Sequence, residues 1–233
     1  MKSLWGPSVA AALGFLFLLG LGSWQLERLH WKEGLIAQRN RALHDSPVPP
    51  PENLDEARAL EFHPVRVSGH FLNDREMPVA AIAHNGDAGF HIVTPFMLEN
   101  GETLLVDRGF VPVRLKDPET RQDGLIEGET NVTGLLRVPE PPGFFIPADH
   151  PERNEWYTAD PAKMAAAQEI EDVLPFTLDA DATSVPGGYP RGGQTITALP
   201  NDHLQYAITW YALAGGLVPV YILFIRRRLK DRK

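Results

Sequence analysis

Cysteine is absent from the 233 residues of this chain. That excludes disulfide scaffolds, thiol redox chemistry, thiolate zinc sites and covalent c-type haem attachment together. Positive charge is scarce where nucleic acid would need it. Residues 27–202 hold 15 Lys and Arg against 29 Asp and Glu, and phosphate attraction requires clustered cations. Enzyme signatures are missing as well: there is no G-x-S-x-G, no H-E-x-x-H and no Walker loop. The glycine-rich stretch 187–193 contains Pro190 and does not open a helix, so it reads as flexible turn chemistry, not a phosphate cradle.

Formal charge is also missing from two long stretches. Residues 3–26 and 203–225 run for 24 and 23 positions without an acid, lysine or arginine. At about 1.5 Å per residue, each spans a hydrocarbon core of about 30 Å with some tilt. A soluble cytosolic protein is thereby excluded. The first stretch lacks an A-x-A-like cleavage site and reads as an uncleaved anchor. The tail after Ile225 carries six cations in eight residues, which places that end in the cytoplasm by the positive-inside rule. Arg28, Lys32, Arg39 and Arg41 pull the other way, and the tail is taken to decide. The expected topology is a two-pass protein of a bacterial cell inner membrane, with both termini cytoplasmic and the acidic middle periplasmic.

The hydrophobic period changes along the chain. Residues 24–40 continue the first span as an amphipathic helix, with Trp24, Arg28, Trp31 and Leu35 at helical spacing. Pro47-Val-Pro-Pro-Pro51 ends it as a stiff linker. A short helix at 54–59 precedes strands at 62–71, 77–83, 90–98, 103–111 and 130–137. Asn85-Gly86 and Asn100-Gly101 mark hairpin turns between them. Asp160 caps a helix with Pro161 at its first position, running through 162–170. A strand follows at 174–179, and the loop at 187–193 leads into residues 195–199 just before the second span. The expected fold is a membrane protein with two transmembrane helices flanking a β-rich α+β extracytoplasmic domain of antiparallel strands. Its segments are 1–26 (first membrane helix), 27–60 (amphipathic helix and Pro-rich linker), 61–202 (domain), 203–225 (second membrane helix) and 226–233 (basic tail).

Candidate chemistry is sparse in the domain. His63, His70, His84 and His91 crowd the strand region, but their spacing does not converge them on a metal, since residues seven apart fall on opposite faces of a straight strand. Asp107 with Glu102, and Asp179 with Asp181, read as surface solvation with no nucleophile beside them. The membrane boundary is more informative. His203 opens the second apolar stretch, with Tyr206, Ala207 and Trp210 at helical spacing beyond it. One reading is an interfacial aromatic belt. The other is an axial haem ligand with aromatic packing, to which Arg28, Trp24 and Trp31 on the facing helix would add a cation for a propionate and two indole surfaces.

Several blocks then become familiar together. They are Gly22-Ser-Trp-Gln-Leu-Glu-Arg-Leu-His-Trp-Lys32, Thr94-Pro-Phe96, Leu105-Val-Asp-Arg-Gly-Phe-Val-Pro112 and Pro118-Glu-Thr-Arg-Gln122. To these add Ile126-Glu-Gly-Glu129, Asn154-Glu-Trp-Tyr157, Gly192-Gly-Gln-Thr195 and Asn201-Asp-His-Leu-Gln-Tyr-Ala-Ile-Thr-Trp-Tyr211. In this order they resemble the Surfeit locus protein 1 family, the cytochrome c oxidase assembly factors of mitochondria and aerobic bacteria. The resemblance implies an assembly factor, not an enzyme, that binds haem a transiently and aids its insertion into oxidase subunit I. It places the haem ligand at His203, with subunit I as partner and haem a synthase as a further one. Arg28, Trp24 and Trp31 come from spacing, not from the family. Ala159 departs from the basic residue expected before Asp160, which puts an anion contact there in doubt. His30 is the second histidine near the membrane and a candidate second axial ligand. Copper delivery is disfavoured, because four methionines and no cysteine do not make a soft-sulfur site. The competing reading is a membrane scaffold that holds nascent subunit I without haem, and a tethered hydrolase stands third.

Overall fold

The computed structural model describes residues 4–83, 86–141 and 143–230. His84 and Asn85 of the first expected turn lie outside the described residues. The chain divides into two compact units, Met1–Arg39 with Ala198–Lys233, and Asn40–Thr197.

The first unit is a helix pair. Helix α1, Trp5–Ala42, is one uninterrupted helix through both the apolar run and the amphipathic stretch expected after it. Helix α4, His203–Lys230, carries the second apolar run into the basic tail. Both are long and apolar enough to cross a membrane. They pack antiparallel. The Tyr221 hydroxyl donates to Ser8 Oγ near one end, and the side chain of Leu217 packs beside Gly14. Further along, Tyr211 lies against Gly22, where an added Cβ would sit 2.7 Å from the ring. Small residues at such a seam let backbones approach closely, which is what holds helices together in lipid. Ala207 and Ala214 of α4 are buried on the same seam.

The second unit is a closed barrel with a lateral extension. Strands β1 (Pro64–Phe71), β2 (Met77–Ile82), β3 (Ala88–Leu98), β4 (Thr103–Pro112), β5 (Thr130–Arg137) and β6 (Val173–Ala180) form one sheet in the order β1-β5-β6-β4-β3-β2. The C-terminal half of β3 also pairs with β1, at Gly69–Leu98, His70–Met97 and Phe71–Phe96. This second pairing closes β1, β5, β6, β4 and β3 on themselves, while β2 continues only along the N-terminal half of β3. A bulge between His91 and Val93 separates the two halves of the β3–β4 register. Such an extra residue bends a strand and increases its twist, as closure requires.

The sheet is mixed, which corrects the antiparallel expectation. β4 and β6 run parallel, in register at Asp107–Asp179, Val106–Leu178 and Leu105–Thr177. Alternation reports which face of a strand is buried but carries no sign of its direction. The crossover between these parallel neighbours, residues 113–172, contains β5 and the helix α3, Pro161–Ala167, well beyond the dozen or more residues that such a connection needs. That helix is shorter than expected. Ile170 N–H bonds back to the Ala165 carbonyl and Glu169 takes φ 51°, a left-handed stop that turns the chain toward β6. The segment 195–199 is not a strand. The Asn100-Gly101 turn does join β3 to β4, with Gly101 at φ 92° and Asn100 Oδ1 accepting from Glu102 N–H at 3.0 Å.

Two cores follow from this topology. Inside the barrel, Val65, Val67, Phe71, Phe96, Leu104, Val106, Val132, Leu136, Phe176 and Leu178 pack together, and Ala57 of the short helix α2 (Leu54–Ala59) joins them. Outside it, Met77, Val79, Val93, Leu105, Trp156 and Met164 form a second cluster. β4 is therefore buried on both faces, which explains the unbroken apolar run Leu104-Leu105-Val106. At Gly69 the strand meets β3 and β5 at once, and a Cβ there would fall 2.0 Å from the Met97 carbonyl oxygen. Gly69→Val should therefore open the seam and destabilise the barrel by more than about 2 kcal/mol. Thermal unfolding of the full-length protein in detergent reads this as a fall in Tm of several degrees or as failure to accumulate folded protein.

Candidate functional site

At the membrane-helix unit, His203 is the first residue of α4 and faces α1. Its Nδ1 lies 2.7 Å from Gln25 Oε1, and Gln25 is itself buried on the α1 seam. An amide oxygen only accepts, so the imidazole Nδ1–H donates and the Nε2 lone pair is left for another partner. Outer partners of this kind fix the tautomer and ring direction of ligating histidines. The residue type and its hydrogen bond fit an axial ligand for haem iron.

The other residues expected there are distributed unevenly. Tyr206 is exposed one turn beyond His203, while Trp210 is partly buried on the α4 seam. Trp24, Arg28 and Trp31 form an exposed stripe of α1 next to the buried Gln25 stripe, not on it. The structure does bring two of them together, since the Arg28 guanidinium lies 5.0 Å from the Trp31 ring centroid. His30 Nδ1–H donates to the Leu26 carbonyl at 2.8 Å, one turn back on its own helix. Gln25 was not singled out from the sequence. The signal was available: it is the polar residue that recurs at seam spacing from Gly22 and faces the histidine that opens the other span.

In the barrel unit, the block Leu105 to Pro112 resolves residue by residue. Asp107 Oδ2 accepts from His91 Nδ1–H at 2.6 Å, and its Oδ1 accepts from Gly109 N–H at 2.8 Å. Arg108 points the other way and is buried. It donates to Asn73 Oδ1 at 3.1 Å and to the Gly124 carbonyl, and stacks 4.4 Å from the Phe71 ring centroid. Burial lowers its pKa to about 10, with Glu76 opposing that shift and Arg121 adding to it. Gly109 takes φ 109°, and a Cβ there would fall 1.9 Å from the Arg191 carbonyl oxygen. That room lets Arg191 and Phe110 exchange two backbone hydrogen bonds, at 2.9 and 3.0 Å. The 3-10 segment Pro118–Gly124 is held through Arg121, whose guanidinium forms a buried ion pair with Glu76. In the Asn154 to Tyr157 block, Trp156 N–H donates to Asn154 Oδ1 at 2.7 Å, and Asn154 donates to the Glu76 carbonyl at 3.1 Å. Most of these familiar motif residues thus serve the architecture.

One group does not fit the surface reading of the acids. Parallel pairing sets Asp107 and Asp179 side by side on β4 and β6. Glu102 remains in its turn, accepting from Asn100, and Asp181 accepts from Thr183 N–H. Asp179 instead accepts from the Thr195 hydroxyl at 2.8 Å and lies 3.9 Å from Arg137 Nη1, with 18% of its side chain exposed. Burial, then the Asp107 charge, push the Asp179 carboxyl up to about 7, against the pull of Arg137, Thr195 and His91. Burial works against charging His91, but the hydrogen bond and charge of Asp107 outweigh it and raise the imidazole. His91, Arg137, Asp179 and Thr195 line a cleft of about 520 Å³ rimmed by Ile82 and Ile196. Sequence reasoning missed this group because its members come from four separate segments. His63 meets Asp45 at 3.8 Å and His70 lies on the outward face of β1, so the described histidines of the strand region have separate surroundings.

Fold and site together define a protein with an antiparallel pair of helices long and apolar enough to cross a membrane, a histidine–glutamine contact on their seam, and a closed mixed β-barrel between the two helices in sequence. The chain belongs to the SURF1 family, whose model matches residues 12–215. It is 39% identical over 224 residues to Surfeit locus protein 1 of Mus musculus, covering 89% of this chain and 72% of the relative. It is 42% identical over 214 residues to Surfeit locus protein 1 of Homo sapiens, covering 84% and 70%. A SURF1-like protein of Monosiga brevicollis is 38% identical over 225 residues, covering 91% and 85%.

Two outcomes follow from the barrel chemistry. Arg121→Ala strands the Glu76 carboxylate in the interior and should cost about 3–5 kcal/mol, the usual penalty for breaking a buried pair, seen as a large fall in Tm. The raised carboxyl of Asp179 and the raised imidazole of His91 have the same sign. Each stabilises the fold below its ordinary pKa and loses that contribution as pH rises through the folded value, about 7 for Asp179. Asp179→Asn should therefore raise Tm at pH 8 relative to the parent, change it little at pH 4, and flatten the profile between. Equal shifts at both pH values would contradict this account.

Proposed function

We propose that this chain is an assembly factor for haem–copper cytochrome c oxidase, binding haem a transiently at His203 and aiding its insertion into subunit I. The observation that carries this reading is the 2.7 Å hydrogen bond from His203 Nδ1 to Gln25 Oε1, which makes Nδ1 the donor and directs the ring. Membership of the family supports it, since the blocks quoted above resemble those of the oxidase assembly factors. A neutral histidine is an ordinary axial ligand of haem iron. Tyr206 and Trp210 extend an aromatic surface along α4 from that ligand, and Arg28, stacked on Trp31, supplies a cation for a propionate near Trp24 on α1.

Delivery requires weak binding. His203 would be the one protein ligand holding the haem and Tyr206 and Trp210 would shield it from lipid, so that a competing ligand on the acceptor could take it over. The reaction is a ligand exchange with no covalent turnover by the protein, so the chain is not an enzyme in this reading. Its partners are subunit I, haem a synthase as the donor, and the lipid bilayer. The six cations that follow Ile225 favour an inner-membrane topology with both termini cytoplasmic and the barrel periplasmic.

The test is a visible spectrum of the full-length protein, purified in detergent from cells making haem a. The parent should show a Soret band and a reduced α-band, His203→Ala should lose them, and Gln25→Ala should retain a weakened, shifted spectrum. A colourless parent, or an unchanged spectrum in His203→Ala, would transfer the role to a scaffold that holds subunit I without haem.

A further inference from the structure

The connection that leaves β5 ends in an exposed finger whose construction is independent of the haem reading. At its tip, Phe144 and Phe145 are 97% and 93% exposed, and Ile146 beside them is 45% exposed. The two rings stand edge to face, 5.3 Å apart. Among the described residues of the barrel unit they are the exposed aromatic side chains; the other phenylalanines and Trp156 are buried or partly so. The tip is a tight turn closed by Ile146 N–H to the Gly143 carbonyl at 3.1 Å.

Its base is firm. Asp149 accepts from Tyr157 N–H, Thr158 N–H and the Thr158 hydroxyl at 2.8, 3.0 and 2.6 Å. His150 N–H donates to the Glu155 carbonyl at 2.8 Å. The rings are thus presented by a fixed root, not left over from a loose loop.

We propose that this finger dips into the lipid bilayer that the two apolar helices occupy. Two features favour lipid over a protein pocket. Residues 141–148 read Pro-Pro-Gly-Phe-Phe-Ile-Pro-Ala, with no charge and no polar side chain. Pro141, Pro142 and Pro147 remove three backbone N–H donors that would otherwise have to be carried into hydrocarbon unpaired. Glu140 and Asp149 bound the stretch, and no Lys or Arg occurs from 139 to 149. The carboxylates limit the finger to a shallow position, and its partition is driven by apolar contact, not by attraction to anionic headgroups.

The absence of native cysteine makes the test direct, because a single introduced thiol is the only labelling site. Phe144→Cys, Phe145→Cys, Leu13→Cys and Glu127→Cys versions of the full-length protein are spin-labelled and placed in phosphatidylcholine nanodiscs. Leu13 reports the apolar run and Glu127 reports water. Labels at 144 and 145 should collide with a water-soluble nickel chelate roughly fivefold less often than the label at 127, and more often with oxygen, as expected for apolar groups several ångströms into the interface. Adding Phe145→Asp should return the label at 144 to the values at 127, without loss of fold, since the tip is not packed. Anionic lipid should leave all four values unchanged. Nickel accessibility at both 144 and 145 equal to that at 127 would overturn the proposal and leave the tip for a protein partner. Insertion that appears only with anionic lipid would overturn its apolar basis.

Discussion

β1 must hydrogen-bond on both sides for the barrel to exist. Its first six residues pair with β5 and its last three with β3, so the strand changes partners around Gly69 while keeping Val65, Val67 and Phe71 inward. Without the second pairing the sheet would be an open ribbon with two edges, and the interior cluster would face water along one side. Closure also dictates where irregularities must fall. The bulge at His91 to Val93 lets β3 serve β1 at one end and β2 at the other. The extension that results needs its own cover, which Trp156 and Met164 supply.

The polar groups of the barrel follow from the same closure. Setting β4 against β6 in parallel brings two carboxyls, Asp107 and Asp179, onto one rung. Two acids side by side in a partly buried place are tolerable only because His91, Arg137 and Thr195 converge on them. On the opposite face, Arg108 and Arg121 reach into the interior to fasten Asn73, Gly124 and Glu76. Buried pairs of this sort are poor sources of net stability but costly to break. They hold irregular segments in one arrangement where apolar packing alone would leave several.

The helix pair obeys a different rule. In lipid there is little hydrophobic gain from bringing two apolar helices together, so close backbone approach and interhelical hydrogen bonds carry the association. Gly22 against Tyr211 supplies the first, and Ser8 with Tyr221 and Gln25 with His203 supply the second. A polar contact at the start of α4 therefore serves association, and it also sets the direction of the His203 imidazole.

Much of this was legible in the chain before any coordinates. Two uncharged stretches set two long apolar helices, alternation and the Asn100-Gly101 pair set most strands, and Asp160-Pro161 set the start of α3, because each of these depends on near neighbours in sequence. His203 stood out for the same reason, as an imidazole opening an apolar run. Strand direction, barrel closure and the meeting of His91, Asp107, Arg137, Asp179 and Thr195 were not legible. Period-2 patterning reports a face and not a direction, and those five side chains meet only through pairings between distant segments. The stripe of Trp24, Arg28 and Trp31 shows the limit from the other side. Helical spacing placed the three together on one face of α1, but only packing against α4 decided that the neighbouring face, with Gln25, would be the buried one.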